Sequence, residues 1–397
     1  MLMEIFIAIL LGILAGSITG LLPGIHINLV GAILVSLSVT LFSKINSIYL
    51  IVFISSMAIS HTFIDFIPSI FLGCPDTETQ LSILPGHEML KEGKGYEAVR
   101  LTSLGGFTAV FVLLIISLPL IFIISKIYEP IHSVMFWILL ITSLILILTE
   151  KNKLIALFVF LISGILGLCV LNIEIKEPLL PLLTGLFGSS MIISSIKNKI
   201  QIPPQEITEP HEKIIRPLVG SVIASSLCGF LPGLGGGQAA VLGNTISKTD
   251  RKGFLILIGA TNILVMGISF ISLYAISKAR TGAAVSIQEL LGKLSGEILA
   301  LILFAVLISG TISFFYSGIL AKFFSKKIDK INYSALSIAT LIFLVIIVFI
   351  FSGFFGLLIL IVSTLMGIYC NGLKVKKTHM MGCLLIPTII FYGMKLI

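Results

Sequence analysis

Charge is scarce in this sequence: Asp, Glu, Lys and Arg make up 11% of its 397 residues, while 57% are hydrophobic and the mean hydropathy is +1.16. Soluble domains carry roughly 25% charged residues, so a soluble enzyme with a single membrane anchor is excluded. Cysteine is scarce as well. Cys74, Cys169, Cys228, Cys370 and Cys383 form no CxxC pair and lie mostly in apolar stretches, which excludes a disulfide framework and a thiolate metal site. His87-Glu88 lacks a second histidine at the HExxH spacing, and no other catalytic or metal constellation gathers in one place. The expectation is therefore a non-enzyme without a cofactor. Residues 1–22 show no basic stretch ahead of their apolar run, so no cleavable signal is expected. The net charge of +8 comes from short basic loops, the pattern of membrane topology rather than of nucleic-acid binding.

What the chain does have is long apolar runs. At about 20 residues per crossing they fill on the order of ten to twelve spans, and they are too continuous for the alternating strands of an outer-membrane barrel. The predicted fold is an all-α, polytopic protein of the cell membrane with about 10–12 transmembrane helices. Candidate spans run near 4–22, 26–42, 46–66, 101–125, 132–149, 154–171, 178–196, 214–231, 238–247, 253–276, 290–320, 333–351, 353–371 and 379–395. The stretches 4–42 and 214–247 are each interrupted by Pro-Gly, and 238–247 is too short to cross. Each reads as a hairpin of broken or re-entrant helices. If 214–247 enters and leaves on one side, the basic loops around Lys151, Lys197, Lys213, Lys248 to Lys252, Lys322 to Lys330 and Lys374 to Lys377 are all cytoplasmic. The polar stretch at about 67–100 then joins them, and both termini lie outside.

An internal repeat organises the chain. Gly20-Leu21-Leu22-Pro23-Gly24-Ile25 matches Gly229-Phe230-Leu231-Pro232-Gly233-Leu234, and in each copy a hairpin, a long span, a polar stretch and a second long span follow in that order. An odd number of crossings separates the copies, which makes them inverted, a signature of secondary transporters. The expected division is residues 1–130 as the first inverted repeat, 131–213 as connecting helices, 214–330 as the second repeat and 331–397 as C-terminal transmembrane helices.

Proline and glycine within an apolar run free backbone N–H and C=O groups at bilayer depth, where protein, water or ligand must satisfy them. In the second copy Gly235, Gly236 and Gly237 follow Pro232 and Gly233, and a helix starting near Gln238 would aim its N–H groups back at the break. Such a terminus suits a carboxylate. The first copy offers Pro23 and Gly24 with His26 and Asn28 added. Next in order are His61, Thr62 and Asp65 near the end of a span. His61 and Asp65 share a helical face and could pair, relay a proton or hold a coupling cation, Na⁺ or H⁺. Thr62 of the first copy and Asn262 of the second, beside Thr261, complete the candidate solute ligands, with Thr261-Asn262 expected opposite His61-Thr62. Against these readings stand plain ones: Pro-Gly kinks as packing features, His61 to Asp65 as a helix end at the interface, and Thr and Asn as helix-packing contacts.

The pattern Gly229-x-x-Pro232-Gly233-x-Gly235-Gly236, its relative at Gly20, and the stretch Gly73 to Arg100 resemble the large membrane subunit of tripartite tricarboxylate transporters. In that stretch Cys74-Pro75-Asp76 and Gly86-His87-Glu88-Met89-Leu90-Lys91-Glu92-Gly93-Lys94-Gly95-Tyr96-Glu97-Ala98 carry the likeness, which extends over residues 12–320. The chain resembles a short, divergent member of archaeal type. The resemblance implies an ion-coupled permease for carboxylates that works with a small membrane subunit and an extracellular solute-binding protein. Carriage of another solute such as an amino acid, an intramembrane enzyme built on His26, His61, Asp65 and His87, and a scaffold subunit are the competing readings. A homo-oligomer is compatible with all of them.

Overall fold

The computed structural model describes residues 2–22, 30–31, 34–35, 46–73, 81, 83–197, 202–229, 236–328, 333–373, 375 and 377–394. Among these residues every regular element is helical: α1 (Leu2–Leu21), α2 (Ser47–Ile64), α3 (Phe66–Phe71), α4 (Ile83–Lys91), α5 (Gly95–Leu148), α6 (Lys153–Leu171), α7 (Leu179–Leu183), α8 (Ser190–Lys197), α9 (Ile215–Cys228), α10 (Gly236–Ser247), α11 (Arg251–Ile276), α12 (Gly282–Leu291), α13 (Gly296–Ser325), α14 (Tyr333–Gly372) and α15 (Gly382–Met394). Seven described helical stretches are long and apolar enough to cross a bilayer, and Ser133–Leu148, Leu179–Ser194 and Ile215–Cys228 add shorter apolar ones. The chain is a polytopic, all-α membrane protein. Its outer surface agrees, since Leu154 is 80% exposed and Ile115 76%, side chains that lipid would cover.

Local chemistry sets many of the helix ends. Asn46 Oδ1 accepts from the Ile48 N–H, Asp250 Oδ1 from the Gly253 N–H and Ser295 Oγ from the Ile298 N–H, each capping the helix that follows. Gly353, at φ 65°, divides α14 at the boundary expected between two spans. One helical element, α5, carries both predicted spans, 101–125 and 132–149, with Pro119 and Pro130 inside it. The polar stretch at 67–100 is also not an open loop where it is described. Phe66 to Phe71 and Met89, Leu90 and Tyr96 to Val99 are buried, because α3, α4 and the start of α5 fold against the core.

Glycine governs how the core packs. Gly12, Gly16 and Gly20 lay a bare stripe of α1 against α2, so that a Cβ on them would run into the Phe53, Met57 and His61 carbonyls. Rising numbers on both helices mean that α1 and α2 run parallel. In the second half Ser221 Oγ donates to the Leu257 carbonyl (3.0 Å) and Ser225 Oγ approaches the Thr261 carbonyl (3.5 Å), so α9 and α11 are parallel too. The α9–α10 pair closes on itself: Gly220 abuts Gly243 and Ser247, returning the chain to the end where α9 began. That is the re-entrant hairpin expected from 214–247.

Each half lends a long helix to the other. Gly105 of α5 lies on the Ile256 carbonyl of α11 and Gly259 of α11 on the Thr102 carbonyl of α5, while α13 runs beside α2, with Ala305 near Val52 and Gly310 near Ile59. The nearly wholly buried helices α2 and α11 form the centre of this arrangement.

Candidate functional site

His61-Thr62 and Thr261-Asn262 are buried in the middle of the molecule. His61 stands ten residues before Phe71 and Thr261 ten residues after Arg251, about 15 Å of helix in each case and half of the ~30 Å hydrocarbon thickness. His61 Nδ1 lies 3.0 Å from Thr19 Oγ1 on α1. Thr62 Oγ1 donates to the Ala58 carbonyl at 2.8 Å, and the Thr261 hydroxyl is buried with no hydrogen-bond partner among the described residues. Asp65 is at a helix end after all, since its N–H donates to the His61 carbonyl (2.9 Å) and α3 starts anew behind it, yet it is only 4% exposed. Helix end and buried ionisable group are thus one feature.

The register between halves differs from expectation. Gly16 and Ser225 hold equivalent places, each seven residues before its proline; Gly16 meets Met57, whereas Ser225 meets Thr261. Thr261-Asn262 therefore matches Met57-Ala58, one turn away from His61-Thr62. The cause is spacing, because 41 residues separate Gly16 from Met57 and 36 separate Ser225 from Thr261.

Pro23, Gly24, His26, Asn28, Pro232, Gly233 and Gly235 lie outside the described residues. Their flanks are described. Gly236, Gly237 and Gln238 open α10 and are buried, and Gln238 shares with Leu227, Cys228 and Met381 the wall of a cavity of about 30 Å³, close to the volume of one water. Gly31, three residues beyond Asn28, packs so tightly on α12 that a side chain there would collide with Ser286. At the foot of α12, Ser269 Oγ accepts from the N–H groups of Arg280 (3.0 Å) and Thr281 (2.9 Å), holding the α11–α12 turn. The start of α12 thereby adjoins Gly31, a flank of the first Pro-Gly pair. Sequence reasoning passed over Arg280; its signal was the pair Lys278 and Arg280 directly after the long apolar run 253–276.

Charged groups gather at the opposite end. Arg251 grips Glu92 through two 2.7 Å bonds, Lys252 reaches Glu97 (2.6 Å) and Glu212 (3.3 Å), and Arg100 holds Glu209 (3.0 Å) while its other nitrogen donates to the Phe314 carbonyl. Gln205 Oε1 accepts from the Gly95 N–H (2.8 Å), and the Glu206 N–H donates to the Gly93 carbonyl (2.7 Å). The 202–214 segment thus straps the α4–α5 turn to the start of α11, so the stretch 83–100, the strap and Lys248 to Lys252 share one face. The hydrogen bond from Arg251 holds the Glu92 carboxyl below its usual range. Burial, helped by Lys91, pushes His87 down to about 4 and Lys377 down to about 8.

Comparison with known proteins agrees with this architecture. The family described as "Tripartite tricarboxylate transporter TctA family" matches residues 6–382. An uncharacterised protein of Methanocaldococcus jannaschii is 33% identical over 396 residues, covering 97% of this chain and 98% of its own length. No solved structure matches the chain significantly. A family match over nearly the whole length, on a bundle whose buried polar pairs lie at mid-depth, makes the chain a transporter component rather than an enzyme: it belongs to the tripartite tricarboxylate transporter TctA family.

Proposed function

We propose that the chain is the permease of an ion-coupled secondary transporter in the cell membrane, moving a small anionic solute, a di- or tricarboxylate, by alternating access. The observation that carries the reading is the buried start of α10 at Gly236, Gly237 and Gln238, which follows the second Pro-Gly pair in the sequence, together with the packing of α12 on Gly31 after the first. The N-terminus of α10 is opened by Gly236, Gly237 and Gln238, and Arg280 supplies a positive charge at the α11–α12 turn. Anions favour a helix N-terminus, and arginine grips a carboxylate with two parallel bonds. His26, Asn28, Thr62 and Asn262 add side-chain contacts, with Pro23, Gly24, Pro232, Gly233 and Gly235 freeing backbone groups. His61 and Asp65, ionisable groups buried at mid-depth, serve the coupling ion, H⁺ or Na⁺.

Residues 1–130 and 214–330 act as inverted repeats in this scheme. The parallel pairs α1–α2 and α9–α11 support it: α11 leaves the charged face, whereas α2 and α3 arrive there. The charged face is cytoplasmic by the excess of lysine and arginine. A small membrane subunit and a solute-binding protein complete the system, a reading that the family's description as tripartite supports.

The test is uptake of labelled di- and tricarboxylates into proteoliposomes holding the chain, with and without those subunits, under imposed Na⁺ or H⁺ gradients. Uptake driven by one gradient and abolished by Gly233→Ala or Gly235→Ala in a correctly inserted protein supports the reading. Failure with every carboxylate, alongside uptake of an amino acid, overturns the solute class. Unchanged uptake in both glycine variants overturns the backbone site.

A further inference from the structure

Where α9 rises from the charged face and α10 returns to it, a groove of about 480 Å³ opens between their ends, within the range of roughly 300–1,000 Å³ typical of ligand clefts. Its walls are of two kinds. Ile215, Val219 and Ile246 are apolar and 79%, 51% and 44% exposed, so they face the lipid side, while Lys213, Arg216 and Lys248 line its charged end. None of these three cations forms an ion pair among the described residues. Their neighbours in the same band do: Arg251 with Glu88 and Glu92, Lys252 with Glu97 and Glu212, and Arg100 with Glu209. Lys248 also ends α10 with φ 49°, a conformation in which glycine or asparagine is usual.

Simple topology anchoring would scatter such charges around the rim. Here three cations without an ion pair among the described residues converge on one cleft whose other wall is apolar and open to the bilayer, the complement of an anionic headgroup joined to acyl chains. Basic pockets between transmembrane helices on the cytoplasmic side take lipids of this kind. We propose that the α9–α10 groove is a binding site for one anionic phospholipid, its phosphate held by Lys213, Arg216 and Lys248 and its chains lying along Ile215, Val219 and Ile246. Bound there, the lipid braces the foot of the second hairpin.

The full-length protein is purified from micelles containing equimolar phosphatidylglycerol and phosphatidylcholine, and the co-purifying lipids are counted by native mass spectrometry. Phosphatidylglycerol should be enriched several-fold. The enrichment should fall with each base removed in the Lys213→Gln, Arg216→Gln and Lys248→Gln series, to equal retention of the two lipids in the triple variant, and survive in Lys322→Gln/Lys326→Gln. Excess inorganic phosphate should leave it intact. Equal retention of the two lipids by the unaltered protein overturns the site without any variant having to fold, and so does undiminished enrichment in the triple variant. Displacement by inorganic phosphate overturns the lipid in favour of a small soluble anion.

Discussion

Thr19 and His61 meet across the α1–α2 interface, with Oγ1 3.0 Å from Nδ1, one residue before the bare contact that Gly20 makes with the His61 carbonyl. The last turn of the helix leading into the first Pro-Gly break is thereby tied to the ionisable pair His61 and Asp65 through both side chain and backbone.

Replacing Thr19 with Val keeps the shape and removes the hydroxyl. The lost hydrogen bond is worth about 1 kcal/mol of stability, and uptake should fall. His61→Ala should cost more, because it also removes a buried ionisable group. Initial uptake rates across external pH, at matched membrane insertion, check both, and a pH profile that His61→Ala leaves unmoved excludes His61 from the coupling step.

The α1 stripe gives a stability prediction. A Cβ at Gly16 would overlap the Met57 carbonyl and Ser60, whereas at Gly296 the nearest atom is Tyr274 Oη at 3.5 Å. Gly16→Ala should destabilise by about 1–3 kcal/mol, the usual cost of overpacking. Gly296→Ala should be neutral or mildly stabilising. Thermal unfolding in detergent, read side by side, separates the two.

If Arg280 holds a solute carboxylate, Arg280→Gln removes a charged hydrogen bond worth about 1.5–3 kcal/mol and should raise KM for the anion by roughly tenfold to a hundredfold. Arg280→Lys should recover part of the loss, since a point charge replaces the planar fork. Equal KM values in the wild type and both variants would leave Arg280 a structural residue of the α11–α12 turn.

Lys377 supplies a pH test. Burial holds its folded pKa at about 8, below the ordinary lysine value. Between pH 8 and the ordinary value the unfolded chain carries the proton and the folded chain does not, so stability rises with pH there. Lys377→Met should therefore be the more stable protein at pH 7, by on the order of 1 kcal/mol, with the advantage shrinking towards pH 10. A constant gap across that range refutes the assignment.

The hairpin 214–247 was legible because Pro232-Gly233 breaks an apolar run and 238–247 is too short to cross, and both facts are local. Gly353 likewise divides α14 where the span boundary was read. What stayed illegible depends on partners distant in sequence. Arg280 lies in an ordinary turn until Ser269 pins its backbone across the α11–α12 turn. The match of Thr261 to Met57 rather than His61 depends on how far the chain travels between hairpin and core helix, which a motif alignment does not fix.

The sequence by itself determined that this protein is a polytopic, all-α membrane protein and that the chain turns back between residues 214 and 247. Hydropathy, backbone chemistry and charge act over one to a few turns, so a linear reading captures them. Only the tertiary structure decided that α2 and α11 form the buried centre, that each half lends the other a long helix and that the strap at 202–214 joins the halves at the charged face. Those choices rest on glycines letting backbones approach and on ion pairs between residues more than a hundred positions apart, and close packing selects one such set among many that the sequence would allow.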